Sequence, residues 1–388
     1  MSLIASHHNM MIKEKKDDYK YSDISNLARE ITTDILKDKP ELVTDVDLGL
    51  VDRSVLEKEI VKLCDKKGSG ILTDRTRITK NVMDYMFGYG PIQEYIEDED
   101  ISDIDFLRYD YGICKRNGKK ERMKIRFSNP KEFEDFCRLI IVRNGGIINE
   151  NDSHCRVSDD KYRLRINVSI APRNFESPSL IIRKHRLLPY NLKDLVHKDM
   201  LSREIYSYLK DKMKGQDRIL ISGKGASGKT TLLRALLGET DEFERILICE
   251  SDSELYCENI NFISQRIKKR QYGGSIVTLN DLIRDGLTMS LDGYCIGEIT
   301  GKEAWSFVNA GYTDHRIFGT IHATSSKDSL TRILALIEEN KVNLSEETLK
   351  EIISSSIDIL IYMKDFKISE ILEIKGFDDS EVIFEKIL

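Results

Sequence analysis

Arg218-Ile-Leu-Ile-Ser-Gly-Lys-Gly-Ala-Ser-Gly-Lys-Thr-Thr-Leu-Leu-Arg-Ala-Leu-Leu237 is the stretch that decides the fold. Ile219 to Ser222 reads as an apolar strand and Thr231 to Leu237 as a helix. Between them Gly223, Lys224, Gly225, Ala226, Ser227, Gly228, Lys229 and Thr230 match G-x-x-x-x-G-K-[ST] in the strand–loop–helix setting that the motif requires. Glycines let the backbone curl so that successive N–H groups point at phosphate oxygens. The helix N-terminus, which begins with Thr231, adds partial positive charge. Lys229 is expected to reach the β and γ phosphates of ATP, and the Thr230 hydroxyl to ligate Mg²⁺. The motif alone leaves kinase, helicase, transporter subunit and motor open.

Strands and helices alternate downstream, as in a doubly wound parallel sheet. Three further segments read as strands that end in polar groups. Ile246-Leu-Ile-Cys-Glu-Ser-Asp-Ser-Glu-Leu255 brings Glu250, Asp252 and Glu254 to the carboxyl edge, where open α/β sheets bind ligands, and one of these carboxylates is suited to polarise water. Tyr294-Cys-Ile-Gly-Glu298 ends in a single carboxylate, because Gly297 stands where Asp often sits. Gly319-Thr-Ile-His-Ala323 ends in His322, a donor suited to the γ-phosphate. Ile357 to Met363 and Ile368 to Ile374 suggest a closing hairpin.

Upstream, Ile24, Leu27, Ile31 and Ile35, then Val55, Ile60 and Leu63, recur at helical spacing. Asp45-Val-Asp47 and Lys66-Lys-Gly-Ser-Gly70 read as breaks. A helix from Asn81 to Phe87 is stopped by Gly88-Tyr-Gly-Pro91. Short strands are expected at Ile104-Asp-Phe106, Gly112-Ile-Cys114 and Leu180 to Arg183. Arg163 to Ile170 alternates with period two: Leu164, Ile166, Val168 and Ile170 face one way, Arg163, Arg165, Asn167 and Ser169 the other. Leu187-Leu-Pro-Tyr-Asn-Leu192 reads as a hinge. The expected division is a helical extension (1–75), an α/β N-terminal domain (76–186), a linker (187–200) and an ATPase domain (201–388).

Composition is compatible with a charge-rich globular protein of 388 residues, 32% charged and with net charge −6. Such a balance gives no overall attraction for nucleic acid or an anionic membrane. The seven cysteines form no C-x-x-C pair, and reduced, mostly buried thiols in a cytosolic protein are expected. No apolar run approaches the ~18 residues of a membrane span. Met1 to Met11 contains His7 and His8 and lacks the core of a secretory signal; it reads either as native or as a leader ahead of Met10 or Met11.

Taken in order, the phosphate loop, the acidic box, Ile296-Gly-Glu298, Thr320-Ile-His-Ala323 and Asp328-Ser-Leu-Thr-Arg332 resemble the ATPases of the type II/type IV secretion superfamily. Gly88-Tyr-Gly-Pro-Ile92, Ser102-Asp-Ile104, Arg165-Ile-Asn167 and Pro178-Ser-Leu-Ile-Ile-Arg-Lys184 extend the resemblance, which covers roughly residues 75–375. The missing C-x-x-C pair points to the tight-adherence pilus and conjugation-type branch.

The resemblance implies an α/β fold: a RecA-like P-loop motor domain preceded by a smaller α/β N-terminal domain and a helical extension. It implies homo-hexamers that bind ATP and Mg²⁺, act on a membrane platform protein from the cytoplasmic face of the inner membrane, and associate with that membrane peripherally through partners. The acidic net charge and the lack of an aromatic-basic stripe lead us to expect no direct binding of nucleic acid. Residues Gly223 to Thr231 would hold the phosphates. Glu254 would act on water and Glu298 would be the Walker B glutamate. His322 would match the second residue of a histidine box, and Arg165 and Arg183 would be nucleotide-facing arginines of the N-terminal domain. Arg284 aligns with another common arginine, and the basic run Arg266-Ile-Lys-Lys-Arg270 falls where relatives also carry arginines.

Several positions depart from the family pattern. Ser251 replaces an Asp, Thr300 an Arg, and Gly311-Tyr312 a Gly-His pair, with His315 a substitute only if its loop rearranges. Loss of one γ-phosphate contact slows such chemistry roughly 10²-fold, so slow hydrolysis is expected. A nucleotide-binding scaffold with little turnover and a nucleic-acid translocase are the alternative readings.

Overall fold

The computed structural model describes Ile24 and residues 26–67, 75–185, 189–268 and 275–388. Five expectations therefore fall wholly or partly outside it: the reading of Met1 to Met11, the break at 68–70, Leu187 and Leu188 of the hinge, residues 269–270 of the basic run, and parts of the division into 1–75, 76–186 and 187–200. The chain forms two compact units. One holds the described residues up to Asn144 with Ile148–Arg156 and Ile166–Lys184; the other holds Gly145–Ile147, Val157–Arg165 and His185–Leu388.

The first unit opens with helices α1 (residues 26–38), α2 (Pro40–Asp47), α3 (Arg53–Lys67) and α4 (Arg75–Phe87). Their buried residues recur every three or four positions: Ala28, Ile31 and Ile35, then Leu56, Ile60 and Cys64, then Ile78, Val82 and Met86. Asp45-Val-Asp47 is the last turn of α2 rather than a break, and the chain turns just after it. α4 stops at Phe87 as its Gly-Tyr-Gly-Pro signal requires. Gly90 has φ +49°, and a Cβ there would lie 2.9 Å from the Tyr85 ring. Arg143 donates to the carbonyls of Tyr85, Met86 and Gly88 at 2.8–2.9 Å, closing that helix end.

Then follow α5 (Gln93–Glu97), β1 (Ile101–Arg108), β2 (Tyr111–Arg116), β3 (Lys119–Arg122), α6 (Pro130–Arg143), β4 (His154–Asp159), β5 (Leu164–Ser169) and β6 (Ser179–Lys184). The sheet order is β3-β2-β1-β6-β5-β4. β5 alternates as its sequence does, with Leu164, Ile166 and Val168 fully buried. The sequence reading did not include α6, although Asn129 caps it by accepting from the Glu132 N–H and Pro130 opens it.

The second unit contains α7 (Leu192–His197), α8 (Arg203–Lys214), β7 (Ile219–Gly223), α9 (Lys229–Leu237), β8 (Ile246–Glu250), β9 (Ile263–Arg266), α10 (Leu279–Gly286), β10 (Gly293–Ile299), α11 (Glu303–Tyr312), β11 (Arg316–Ile321), α12 (Ser326–Glu338), α13 (Glu346–Ser356), β12 (Ile359–Lys364), β13 (Lys367–Asp378) and β14 (Glu381–Lys386). The sheet runs β14-β13-β12-β7-β11-β10-β8-β9. From β12 to β9 neighbouring strands are parallel, and β13 and β14 close the sheet antiparallel. This is the RecA-like α/β architecture expected from the sequence, with the hairpin extended by a third strand.

Both faces of the parallel strands are covered, so every residue of β7, β8 and β11 is buried. Ile219 and Ile221 enter one apolar layer, with Leu232, Leu233 and Leu236 of α9. Leu220 enters the other, with residues of α10 to α13. α7, capped by the reciprocal Asn191–Asp194 box, buries Leu192 and Leu195 in the first of these layers.

At the amino edge of the sheet Arg316 and Glu244 form a buried pair in which Nη1 donates to both carboxylate oxygens, at 2.8 and 3.1 Å. Arg316 also donates to the carbonyls of Met213 and Asp217. Removing one partner leaves the other charge buried and unpaired. Arg316→Ala is expected to destabilise the protein by about 3–5 kcal/mol, read as a lower urea midpoint, whereas replacing both partners by apolar residues should cost less.

Candidate active site

Strand direction brings the phosphate loop, the acidic box, Glu298 and His322 to one edge. β7, β8, β10 and β11 are parallel, so their carboxyl ends deliver Gly223, Glu250, Glu298 and the His322 turn to the same side. The loop backbone needs left-handed geometry at Ala226 (φ +58°) and Gly228 (φ +97°). Gly223 is required by proximity as well: a Cβ would sit 2.4 Å from the Met363 carbonyl oxygen of β12.

Lys224, Gly225 and Ala226 form the exposed crest of the loop, whereas Ser227 and Lys229 are buried. The Ser227 hydroxyl makes no hydrogen bond. Thr230 and Thr231, in the first turn of α9, are half-buried. Lys229 donates to the carbonyls of Gly223 and Lys224 at 3.0 Å each, and its Nζ lies 3.5 Å from His322 Nδ1. Burial pushes the Lys229 ammonium below its ordinary pKa, against the opposing charges of Glu298 and Glu254.

His322 Nε2 lies 2.5 Å from Glu298 Oε1. With Nδ1 facing an ammonium that can only donate, the tautomer protonated on Nε2 satisfies both contacts. Both side chains remain about half exposed, 52% and 46%, so the pair is open to a ligand. The loop beyond Glu298 is tied by Glu303, which accepts from the N–H groups of Thr300 and Gly301 at 2.5 and 2.8 Å. Thr320 donates to the Gly297 carbonyl at 2.6 Å and fixes the β10 end against β11. The sequence reading did not include Glu303, for which a Glu in the first turn of a helix was the available signal, and it named Thr320 only as part of Thr320-Ile-His-Ala323, with no role of its own.

The three carboxylates of the acidic box separate by environment. Glu250 is buried and accepts from the N–H groups of Glu254 and Leu255 at 3.0 and 2.9 Å. It holds the loop rather than facing solvent. Glu254 accepts from Arg165 Nη1 at 2.8 Å, and Asp252 lies 3.4 Å from Arg165 Nη2. Ser251 is exposed. Gly297 has a spatial reason to lack a side chain, since a Cβ there would meet the Glu250 Cγ at 3.2 Å.

Other expected residues lie elsewhere. Arg183 belongs to the first unit, on β6 opposite Asp103 of β1. Arg284 is exposed on α10, and Arg266 pairs with Asp160 at 2.7 and 3.2 Å. His315 does not reach the site: it precedes β11, at the opposite end of the six-residue strand from His322, and packs edge-on against the Tyr294 ring. At about 3.3 Å per strand residue, no local loop rearrangement spans that distance. Tyr312 is exposed at the end of α11.

Among the described residues no three His, Cys, Asp or Glu side chains cluster as a metal cage. The oxygen donors at hand, the Thr230 hydroxyl with nearby carboxylates, suit a hard divalent cation that keeps its waters and arrives with a phosphate.

Residues 149–363 match the family described as Type II/IV secretion system protein. The chain belongs to this family. VirB11 of the Bartonella quintana type IV secretion system is 28% identical over 179 residues, 44% of this chain and 50% of that protein. The chain thus spans about half the length of the curated relatives it matches. Among solved structures, the pilus retraction motor PilT with bound ADP aligns with TM-score 0.52 and 18% identity, covering 77% of this chain and 81% of that one. The Legionella pneumophila ATPase DotB aligns with TM-score 0.51 and 17% identity, covering 76% and 78%. These two share the fold, and the match over 149–363 takes in the phosphate loop, the acidic box, Glu298 and His322.

Burial pushes the Glu250 carboxyl up to about 8, outweighing its two backbone donors. Its folded value lies above the unfolded 4.5, so the folded state holds the proton longer and stability falls as pH rises from about 4.5 to about 8. Glu250→Gln keeps an acceptor for both N–H groups and removes that titration. Thermal unfolding between pH 5 and 8 should show the variant gaining on wild type by about 2 kcal/mol or more, at roughly 1.4 kcal/mol per unit; parallel curves would refute the assignment.

Proposed function

We propose that the chain is an ATP-hydrolysing motor of a type II/type IV secretion or pilus assembly machine, working as a ring at the cytoplasmic face of the membrane. The observation that carries this reading is the convergence of Lys229, His322–Glu298 and Arg165–Glu254 around one phosphate loop. Each charged group is already held by a partner that a triphosphate could replace. The ammonium of Lys229 would exchange two carbonyls for the β and γ phosphate oxygens. His322 would turn its proton to the γ-phosphate, and Arg165, leaving Glu254, would meet the phosphoryl charge. Glu254 would then be free to orient water, with Glu298 beside it.

Thr230 is the residue proposed to hold Mg²⁺, which when bound neutralises charge on the phosphates. Arg183 is proposed as a second arginine that serves the nucleotide. Residues 1–75, 76–186, 187–200 and 201–388 are proposed as helical extension, N-terminal domain, linker and motor. ATP need favour one arrangement over ADP by only a few kcal/mol to drive motion. A homo-hexamer acting on a membrane platform protein is part of the proposal. Among the described residues no helix is long and apolar enough to cross a membrane, so attachment would run through that partner.

The pairing of Glu254 with Arg165 and of Glu298 with His322 also suits a scaffold that binds nucleotide with little turnover. Steady-state phosphate release decides between them. Glu298→Gln and Lys229→Ala are each expected to lower turnover about 10²-fold or more. Equal, negligible release from wild type and both variants, with nucleotide still bound by wild type, would establish the scaffold; stimulation by single-stranded DNA would instead establish a translocase.

A further inference from the structure

The second unit holds another basic site that the proposed chemistry leaves unused. Arg234 lies on α9 five residues beyond Lys229, about 7.5 Å farther along the axis and roughly 140° around it. Its Nε and Nη2 are buried and make no hydrogen bond. Burial, and then the charge of Arg163, hold the Arg234 guanidinium below its ordinary pKa. Arg163 stacks on the Tyr256 ring with its guanidinium carbon 5.0 Å from the centroid, and the His185 ring lies 6.2 Å from the same ring. Two guanidinium groups and an imidazole thus gather around one tyrosine.

This cluster borders open space. Cavities of about 520 and 730 Å³ meet at Pro189, Arg234, Gly238 and Glu258, and no residue from Gly223 to Thr231 lines either. Leu237, Phe243 and Phe262 give the smaller cavity an apolar wall. Glu242 and Glu258 also line it, yet neither pairs with Arg234. A buried guanidinium without an acceptor is strongly unfavourable, and a second cation beside it deepens the penalty. An oxyanion relieves both, and the guanidinium fork fits a carboxylate or a phosphate in two-pronged fashion.

We propose that this cavity, behind the phosphate loop, binds a small molecule through a carboxylate or phosphate group held by Arg234. The site shares a wall with the catalytic loop, since Leu255 to Phe262 follows Glu254 directly. An occupant would therefore brace the segment that positions that carboxylate.

The test uses the full chain with Lys229→Ala, which removes the ammonium from the phosphate loop, and the same chain with Arg234→Met added. Methionine keeps the apolar stem and removes the unpaired charge. Without added anion, Arg234→Met is expected to leave Tm unchanged or raise it. Inorganic phosphate or acetate, against chloride at matched ionic strength, is expected to raise the Tm of the Lys229→Ala chain by roughly 3 °C at tenfold excess over Kd, and to leave the double variant unmoved. A rise with phosphate alone assigns a phosphorylated ligand, and a rise with acetate alone a carboxylate. No rise with either, a rise that survives Arg234→Met, or a lower Tm for the anion-free double variant would each overturn the proposal.

Discussion

A buried ammonium has to be solvated by something, and at Lys229 the protein uses the carbonyls of its own phosphate loop. That requirement shapes the site. For the carbonyls of Gly223 and Lys224 to turn inward, the chain must pass through left-handed geometry at Ala226 and Gly228 and must press Gly223 against the Met363 carbonyl of β12. For Met363 to lie there, β12 must pair with β7 in parallel register, Met363 beside Gly223. Position of the charge, curvature of the loop and order of the strands are thus one constraint seen at three scales.

The surrounding charges obey the same logic. In a half-buried site an unpaired carboxylate or guanidinium is expensive, so each is matched before any ligand arrives. Glu298 has His322, Glu254 has Arg165, and burial pushes the Glu250 carboxyl up to about 8, toward its neutral form. The last case explains an unusual sequence feature. Gly297 occupies a position where Asp is common, and a Cβ there would crowd the Glu250 stem at 3.2 Å. A side chain at 297 would have to shift that stem by a few tenths of an ångström, and the stem belongs to the carboxylate that accepts from the backbone of the acidic loop.

Features that depend on short, strongly constrained patterns were legible in the sequence. The phosphate loop between an apolar strand and a helix, the period-two face of β5 and the stop after Phe87 each follow from local sterics or burial, and each stands where the pattern put it. Elements whose identity depends on partners were not. β3, Lys119-Lys-Glu-Arg122, is exposed along its whole length and carries no apolar residue; β14 has only the short run Val382-Ile-Phe384, of which Val382 and Phe384 are partly buried against the core. The acidic box shows the same limit at the site. Glu250, Asp252 and Glu254 look equivalent as letters, but strand β8 ends inside the core for the first and past it for the last.

Direction along β11 separates two histidines that sequence alone could exchange. The strand is covered on both faces and paired on both sides, so it cannot slide or flip without exposing apolar residues or breaking its ladders. His315, at its amino end, is therefore committed to the same edge as the buried Arg316–Glu244 pair, and His322, past its carboxyl end, to Lys229 and Glu298. Polarity of a parallel sheet thus divides the unit. The amino edge uses its buried charge to hold elements together, where a fixed, fully buried pair suits. The carboxyl edge carries pairs that stay partly open, as the exchange with a phosphate proposed above would require.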